Sequence, residues 1–198
     1  MSAVAIPRHE MPGDSRLPYR GTVGMVCLII AEAAIFTIFV VAYLFYVGKS
    51  LSGPTPREVL ETPILFTICL LSSSLTIHFA SKALERGARG GFVGLWLLTI
   101  ALGGAFLFGT GQEWHRLIYE HGLTISTNLF GTTYYSLVGL HAVHVIVGLI
   151  LMAIVALFAV TGYVSREHSP RIGVLSLYWH FVDVVWIVVF SVVYVIGR

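Results

Sequence analysis

His180 and Asp183 stand three positions apart inside Leu177-Tyr178-Trp179-His180-Phe181-Val182-Asp183-Val184-Val185-Trp186, an otherwise apolar and aromatic run. On a helix this spacing puts both side chains on one face. Ionisable groups within an apolar, membrane-length segment mark a functional site by default. Three roles are open to them: an internal ion pair, a proton relay, or a polar dock for another helix. The bulky neighbours Tyr178, Trp179 and Trp186 favour a dock, or a contact with lipid head groups, over a relay.

His141 and His144 repeat the three-residue spacing, a geometry that could ligate a metal or a haem. A metal site needs three or four protein ligands. An axial haem pair must approach from opposite sides of the ring, which one face of one helix cannot do. The two histidines are therefore read as hydrogen-bonded packing residues or as contacts to another subunit. Glu32 is a lone carboxyl between Ala31 and Ala33. It is either a protonated acid donating one hydrogen bond to a neighbouring helix, or a proton-exchanging or charge-pairing group beside a catalytic partner. Cys27 and Cys69 lie in apolar runs with no CxxC spacing and no neighbouring ligand, so they read as small core residues. There is no glycine-rich phosphate loop and no G-x-S-x-G turn. Catalysis by this chain alone is not expected.

Helices must position these groups. With 57% hydrophobic and 11% charged residues the chain departs from the soluble norm, where about a quarter of residues are charged. An all-α, polytopic transmembrane bundle of five helices is expected, with spans at about 21–47, 62–84, 92–110, 129–163 and 172–196 in a membrane domain of residues 21–198. A polar arm, residues 1–20, precedes it, and no signal-peptide pattern is present. Glu32 falls roughly 16 Å along the first helix, close to the membrane midplane. Ser72, Ser73, Ser74, Thr76 and His78 make the second span one that packs on protein along one face. Gly94, Gly103, Gly104 and Gly109 allow close helix approach in the third. Ser126, Thr127 and Asn128 are candidate caps for the fourth. A net charge of +2 with dispersed basic residues excludes a nucleic-acid partner.

Five crossings place Arg8, Arg16, Arg20, Lys82, Arg86, Arg89, Arg166 and Arg171 on one side. Only Lys49, Arg57, Arg116 and Arg198 fall on the other. The positive-inside rule then makes the N-terminus cytoplasmic, or matrix-facing in an organelle, and puts the C-terminus outside the inner (cell) membrane.

The run from Leu177 to Trp186 resembles the signature of subunit III of the haem-copper oxidases. Asn128-Leu129-Phe130-Gly131-Thr132-Thr133-Tyr134-Tyr135, followed by Gly139-Leu140-His141-Ala142-Val143-His144-Val145, is similar to that family's small-and-aromatic run leading into a Gly-x-His-x-x-His segment. The helix carrying Glu32 resembles the one holding the family's carbodiimide-reactive glutamate. The matches cover all five spans in order and correspond to the last five helices of the seven-helix form, as in the short bacterial type.

The resemblance implies a core subunit of a proton-pumping terminal oxidase that reduces oxygen to water in subunit I. This chain would itself hold no haem, copper or catalytic centre. Haem and copper belong to partner subunits. The implied partners are oxidase subunits I and II, membrane lipids and a respiratory supercomplex, and the implied role is support of stability, sustained turnover or proton uptake. Glu32 takes the proton- or turnover-related role, while His141, His144, Trp179, His180 and Asp183 make structural polar, lipid or subunit contacts. A ubiquinol oxidase or a nitric oxide reductase accessory subunit is the near alternative, and a free-standing transporter or haem-binding membrane protein the distant one. The chain departs from the family pattern at Gly173, where many members carry glutamate, and at Thr110, where glutamine is usual. The lipid cleft that full-length members build with their first two helices cannot exist in that form here.

Overall fold

The computed structural model describes residues 19–50 and 53–197. All but the last two residues of the N-terminal arm lie outside that set. Among the described residues every regular element is helical. The elements are α1 (Arg20–Tyr46), the single turn α2 (Pro56–Val59), α3 (Ile64–Glu85), α4 (Arg89–Tyr119), α5 (Leu129–Val160) and α6 (Ser169–Phe190). A 3₁₀ turn, Arg166–His168, leads into α6, and a π-helical stretch, Ser191–Ile196, continues it. Five of these segments are long and apolar enough to cross a membrane.

The helix ends follow from local chemistry. The Asn128 carboxamide oxygen accepts the Gly131 N–H at 2.8 Å and starts α5. Gly87 and Gly162 end α3 and α5 with φ of 76° and 87°, a left-handed conformation that glycine adopts without steric cost. Beyond each, the next amide reaches back to satisfy a terminal carbonyl: Ala88 N–H to Ala83 O at 2.9 Å, and Tyr163 N–H to Phe158 O at 3.0 Å.

Two boundaries lie beyond the hydrophobic signal. α4 continues past 110 through Gln112, Glu113 and Trp114 to Tyr119, because these residues are compatible with a helix and the charged side chains of Glu113 and Arg116 find partners. The Tyr194 hydroxyl donates to Glu113 at 2.9 and 3.0 Å, and Arg116 pairs with Glu61. The last span begins at Arg166 instead of 172, with Pro170 in the first turn of α6, where a missing N–H costs nothing. The connection between the first two spans contains α2. There the Thr55 amide donates to the Glu58 carboxylate at 2.9 Å.

That backbone hydrogen bond, followed by one from the Thr55 hydroxyl, holds the Glu58 carboxyl below the usual glutamate range. A lowered folded-state value means that the contribution to α2 is complete above the ordinary glutamate pKa and disappears as pH falls through the lowered one. Amide exchange at Val59 is expected to accelerate over that acid window in the parent. In Glu58→Gln the acceleration is expected to be absent.

α6 is the centre of the bundle. It packs on α1, α3 and α5, while α3 packs most extensively on α4. Over their most apolar windows, 56% of the α6 segment is buried inside the chain against 6% of α1. α1 therefore presents most of its surface outward, and the side chains of α6 decide how the other helices fit.

Candidate functional site

Two polar sites lie within the membrane-spanning part, on different sides of α6. At the first, the Glu32 carboxylate of α1 meets the imidazole of His144 on α5, Oε2 to Nε2 at 3.2 Å. His144 Nδ1 lies 2.8 Å from Leu140 O, one turn back on α5. A carbonyl can only accept, so Nδ1 carries a proton. The neutral ring then offers Nε2 as an acceptor.

This fixes what the contact can hold. Either Glu32 is a carboxylic acid donating to Nε2, or it is a carboxylate accepting from an imidazolium. Both forms have zero net charge, and they differ only in which partner holds one proton. Transfer between them adds no net charge to a region where charge is costly. The pair faces a cleft of about 260 Å³ between α1 and α5, lined by Met25, Leu28, Val143, Val147 and Leu151, with Tyr178 at its floor. Tyr178 donates its hydroxyl to His144 O at 3.1 Å, tying the site to α6.

At the second site, His180 and Asp183 both reach Ser74 on α3. Ser74 Oγ donates to Asp183 Oδ2 and lies 3.0 Å from His180 Nδ1. With its proton directed at the carboxylate, the hydroxyl accepts from Nδ1–H, giving the chain His180 to Ser74 to Asp183 across the α3–α6 contact. Below it the Trp179 indole donates to Ser73 Oγ at 2.8 Å, and above it Trp186 donates to Thr67 Oγ1 at 3.2 Å. Trp179 and Trp186 are fully enclosed. Their N–H groups point at α3.

Replacing Ser74 by alanine leaves His180 Nδ1 and Asp183 Oδ2 without their partner. Asp183 Oδ1 is already buried and unpaired. An unsatisfied buried group costs about 1–3 kcal/mol. Ser74→Ala is therefore expected to lower the thermal unfolding midpoint in detergent, followed by circular dichroism, with Ser74→Thr retaining most of the stability. Adding Asp183→Leu to Ser74→Ala is expected to recover part of the loss, because it removes the stranded carboxyl.

The spacing of His141 and His144 gives a different outcome from that of His180 and Asp183. Side chains three apart on a helix diverge by about 60°, and α5 sits where that angle separates two neighbours. His144 turns to α1. His141 turns inward, fully buried, against Trp186 at 5.0 Å and Phe106 at 5.7 Å between ring centroids. Neither of its ring nitrogens has a hydrogen-bond partner within the chain, whereas both ring nitrogens of His144 have one. Among the described residues no group of three or more His, Cys, Asp or Glu is placed to hold a metal ion.

Residues 19–198 match the family model described as cytochrome c oxidase subunit III. The chain belongs to that family. Within it, the subunit 3 of a cytochrome c oxidase from Corynebacterium diphtheriae is 39% identical over 202 residues, covering 97% of this chain and 98% of the relative. The corresponding protein of Alkalihalophilus pseudofirmus is 34% identical over 169 residues, with 84% and 82% coverage. Subunit 3 of a cytochrome bo(3) ubiquinol oxidase from Pseudomonas aeruginosa is 33% identical over 176 residues, with 88% and 84% coverage.

In this subunit III the structure joins Glu32 to His144, and His180 to Asp183 through Ser74. It keeps His141 apart from both. Ser74 was not legible as the linking residue, since Ser72, Ser73 and Ser74 are consecutive and only their angular positions on α3 distinguish them. Glu113 forms a third, partly buried polar contact with Tyr194. Its signal was present in the helix-compatible run after Thr110.

Proposed function

We propose that this protein is the accessory subunit III of a cytochrome c-oxidising haem-copper oxidase, assembled with subunits I and II, and that it holds no haem, copper or catalytic centre of its own. The family match over residues 19–198 carries the reading. The Corynebacterium and Alkalihalophilus relatives support cytochrome c as the electron donor. The Glu32–His144 contact supports a role in sustaining turnover, because it keeps one proton available at an open cleft inside the membrane without adding net charge. The distribution of Lys and Arg supports a cytoplasmic N-terminus and an external C-terminus in the cell membrane.

The Pseudomonas relative favours a second reading, a ubiquinol oxidase subunit. Purification in mild detergent separates the two. The first predicts co-purifying oxidase subunits with haem and copper spectra and oxidation of reduced cytochrome c. Oxidation of ubiquinol but not of cytochrome c selects the second. A chain that purifies without other oxidase subunits refutes both.

A further inference from the structure

Glu113 stands on the polar end of α4, past Thr110, where the helix leaves its apolar run. Both carboxylate oxygens accept the Tyr194 hydroxyl, at 2.9 and 3.0 Å, and the Tyr134 hydroxyl lies 3.4 Å from that of Tyr194. The two tyrosines are buried, but Glu113 is only half-buried. It lines a cavity of about 320 Å³ between the start of α3 and the end of α4, together with Glu61, Thr62, Phe66, Gln112 and Arg116. A polar cavity of that size has room for several waters of roughly 30 Å³ each, and groups to bind them.

Few titratable or charged groups face this carboxyl. α6 contributes Tyr194, α5 contributes Tyr134 and Tyr135, α4 itself contributes Arg116, and the segment before α3 contributes Glu61. Phenols and guanidinium groups keep their protons through the physiological range. Arg116 is committed to Glu61 and, at 3.3 Å, to Val59 O. Among the described residues no cation forms an ion pair with Glu113. The Glu32–His144 contact can pass one proton between its partners at constant charge. The Glu113–Tyr194 contact cannot, so a proton reaching Glu113 must come from the cavity.

Tyr194 in turn holds the end of α6. Ser191–Ile196 is π-helical and closes with the Gly197 N–H on Val192 O at 2.9 Å. π turns are rare and concentrate at functional sites. This one lies between two grips, Tyr194 on Glu113 of α4 and Tyr43 of α1 against Gly197, where an added Cβ would lie 2.7 Å from the Tyr43 hydroxyl. A hydrogen bond to a carboxylate is about twice as strong as one between neutral groups. When Glu113 is the acid, one oxygen carries the proton and the bond to Tyr194 becomes a neutral one.

We propose that Glu113 is a proton-binding site fed from the outer face of the membrane through this cavity, and that proton uptake there loosens the π-helical end of α6. The inference rests on the reading of the chain as a subunit of a proton-pumping oxidase with its C-terminus outside. Pumped protons arrive on that face, so the site senses what the complex delivers.

Pulse deuterium labelling of the purified oxidase in sealed vesicles, with the C-terminus of this chain outward, tests this at external pH values of about 8 and about 5. Protection of the amides of residues 193–197, taken against the chemical exchange rate at each pH, is expected to fall several-fold at the lower pH in the parent, while that of α3 stays constant. Glu113→Gln offers Tyr194 a neutral acceptor at every pH, so its protection is expected to be low and insensitive to pH. Tyr194→Phe is expected to show the same insensitivity, while the infrared band of a protonated Glu113 still appears on acidification. Equal protection at both pH values in the parent overturns the proposal. So does a fall that survives in Glu113→Gln or, should that variant fail to assemble, in Tyr194→Phe. A fall produced only by acidifying the vesicle interior overturns it together with the assigned orientation. A parent preparation without other oxidase subunits would instead remove the oxidase reading itself.

Discussion

Glu32→Ala is expected to leave the oxidase assembled and initially active, but to make its activity decay several-fold faster during continuous turnover. The substitution strips His144 Nε2 of its partner while Nδ1 stays on Leu140 O. The half-buried imidazole then faces the α1–α5 cleft with nothing to exchange a proton with. Glu32→Gln separates the two things the carboxyl does. The glutamine amide donates to Nε2 and preserves the tie between α1 and α5, but it carries no transferable proton. If proton exchange sustains turnover, Gln decays like Ala. If the tie alone matters, Gln decays like the parent. Superimposable decay curves for Ala and the parent would remove Glu32 from any role in turnover.

Gly148→Ala is expected to be strongly disruptive for a single added methyl. A Cβ at that position would lie 2.7 Å from Trp179 Cζ3 and 2.8 Å from Cε3, closer than carbon atoms approach. The indole cannot retreat. Its N–H is fixed on Ser73, and its far edge already lies 3.0 Å from where a Cβ on Gly103 would sit. Trp179 is thus a plate from α6 slotted between α4 and α5, with a glycine opposite each edge. Overpacking of this kind costs about 1–3 kcal/mol. The expected result is a lower thermal midpoint for release of the subunit from the complex. Trp179→Phe should restore much of the loss, because the smaller ring vacates the space, and Ser73 keeps its own bond to Leu70 O. Failure of the double variant to recover would show that the slot is not the cause.

The contrast between these two sites marks how far sequence reading reaches. Glu32 was legible as special because a carboxyl among alanines at mid-membrane has no bland neighbour to explain it, yet its partner was not, since Glu32 and His144 are separated by 112 positions. Gly103 was legible as a small residue permitting close approach, but the approaching group was taken to be a helix backbone. It is an indole. His141 and His144 have the same spacing as His180 and Asp183, and nothing in the spacing says that one pair converges on a shared hydroxyl while the other diverges to two helices.

What the sequence determined by itself is the number of crossings, the all-helical class, the family and the identity of the intramembrane polar residues, because apolar length and buried charge are properties of the chain read one segment at a time. What only the tertiary structure decided is who meets whom. The Glu32–His144 proton pair, the Ser74 bridge, the isolation of His141 and the Trp179 slot all depend on the rotation of each helix about its axis. That rotation is set by packing α6 against three neighbours at once, and a side chain's angular position acquires meaning only when the facing helix is in place.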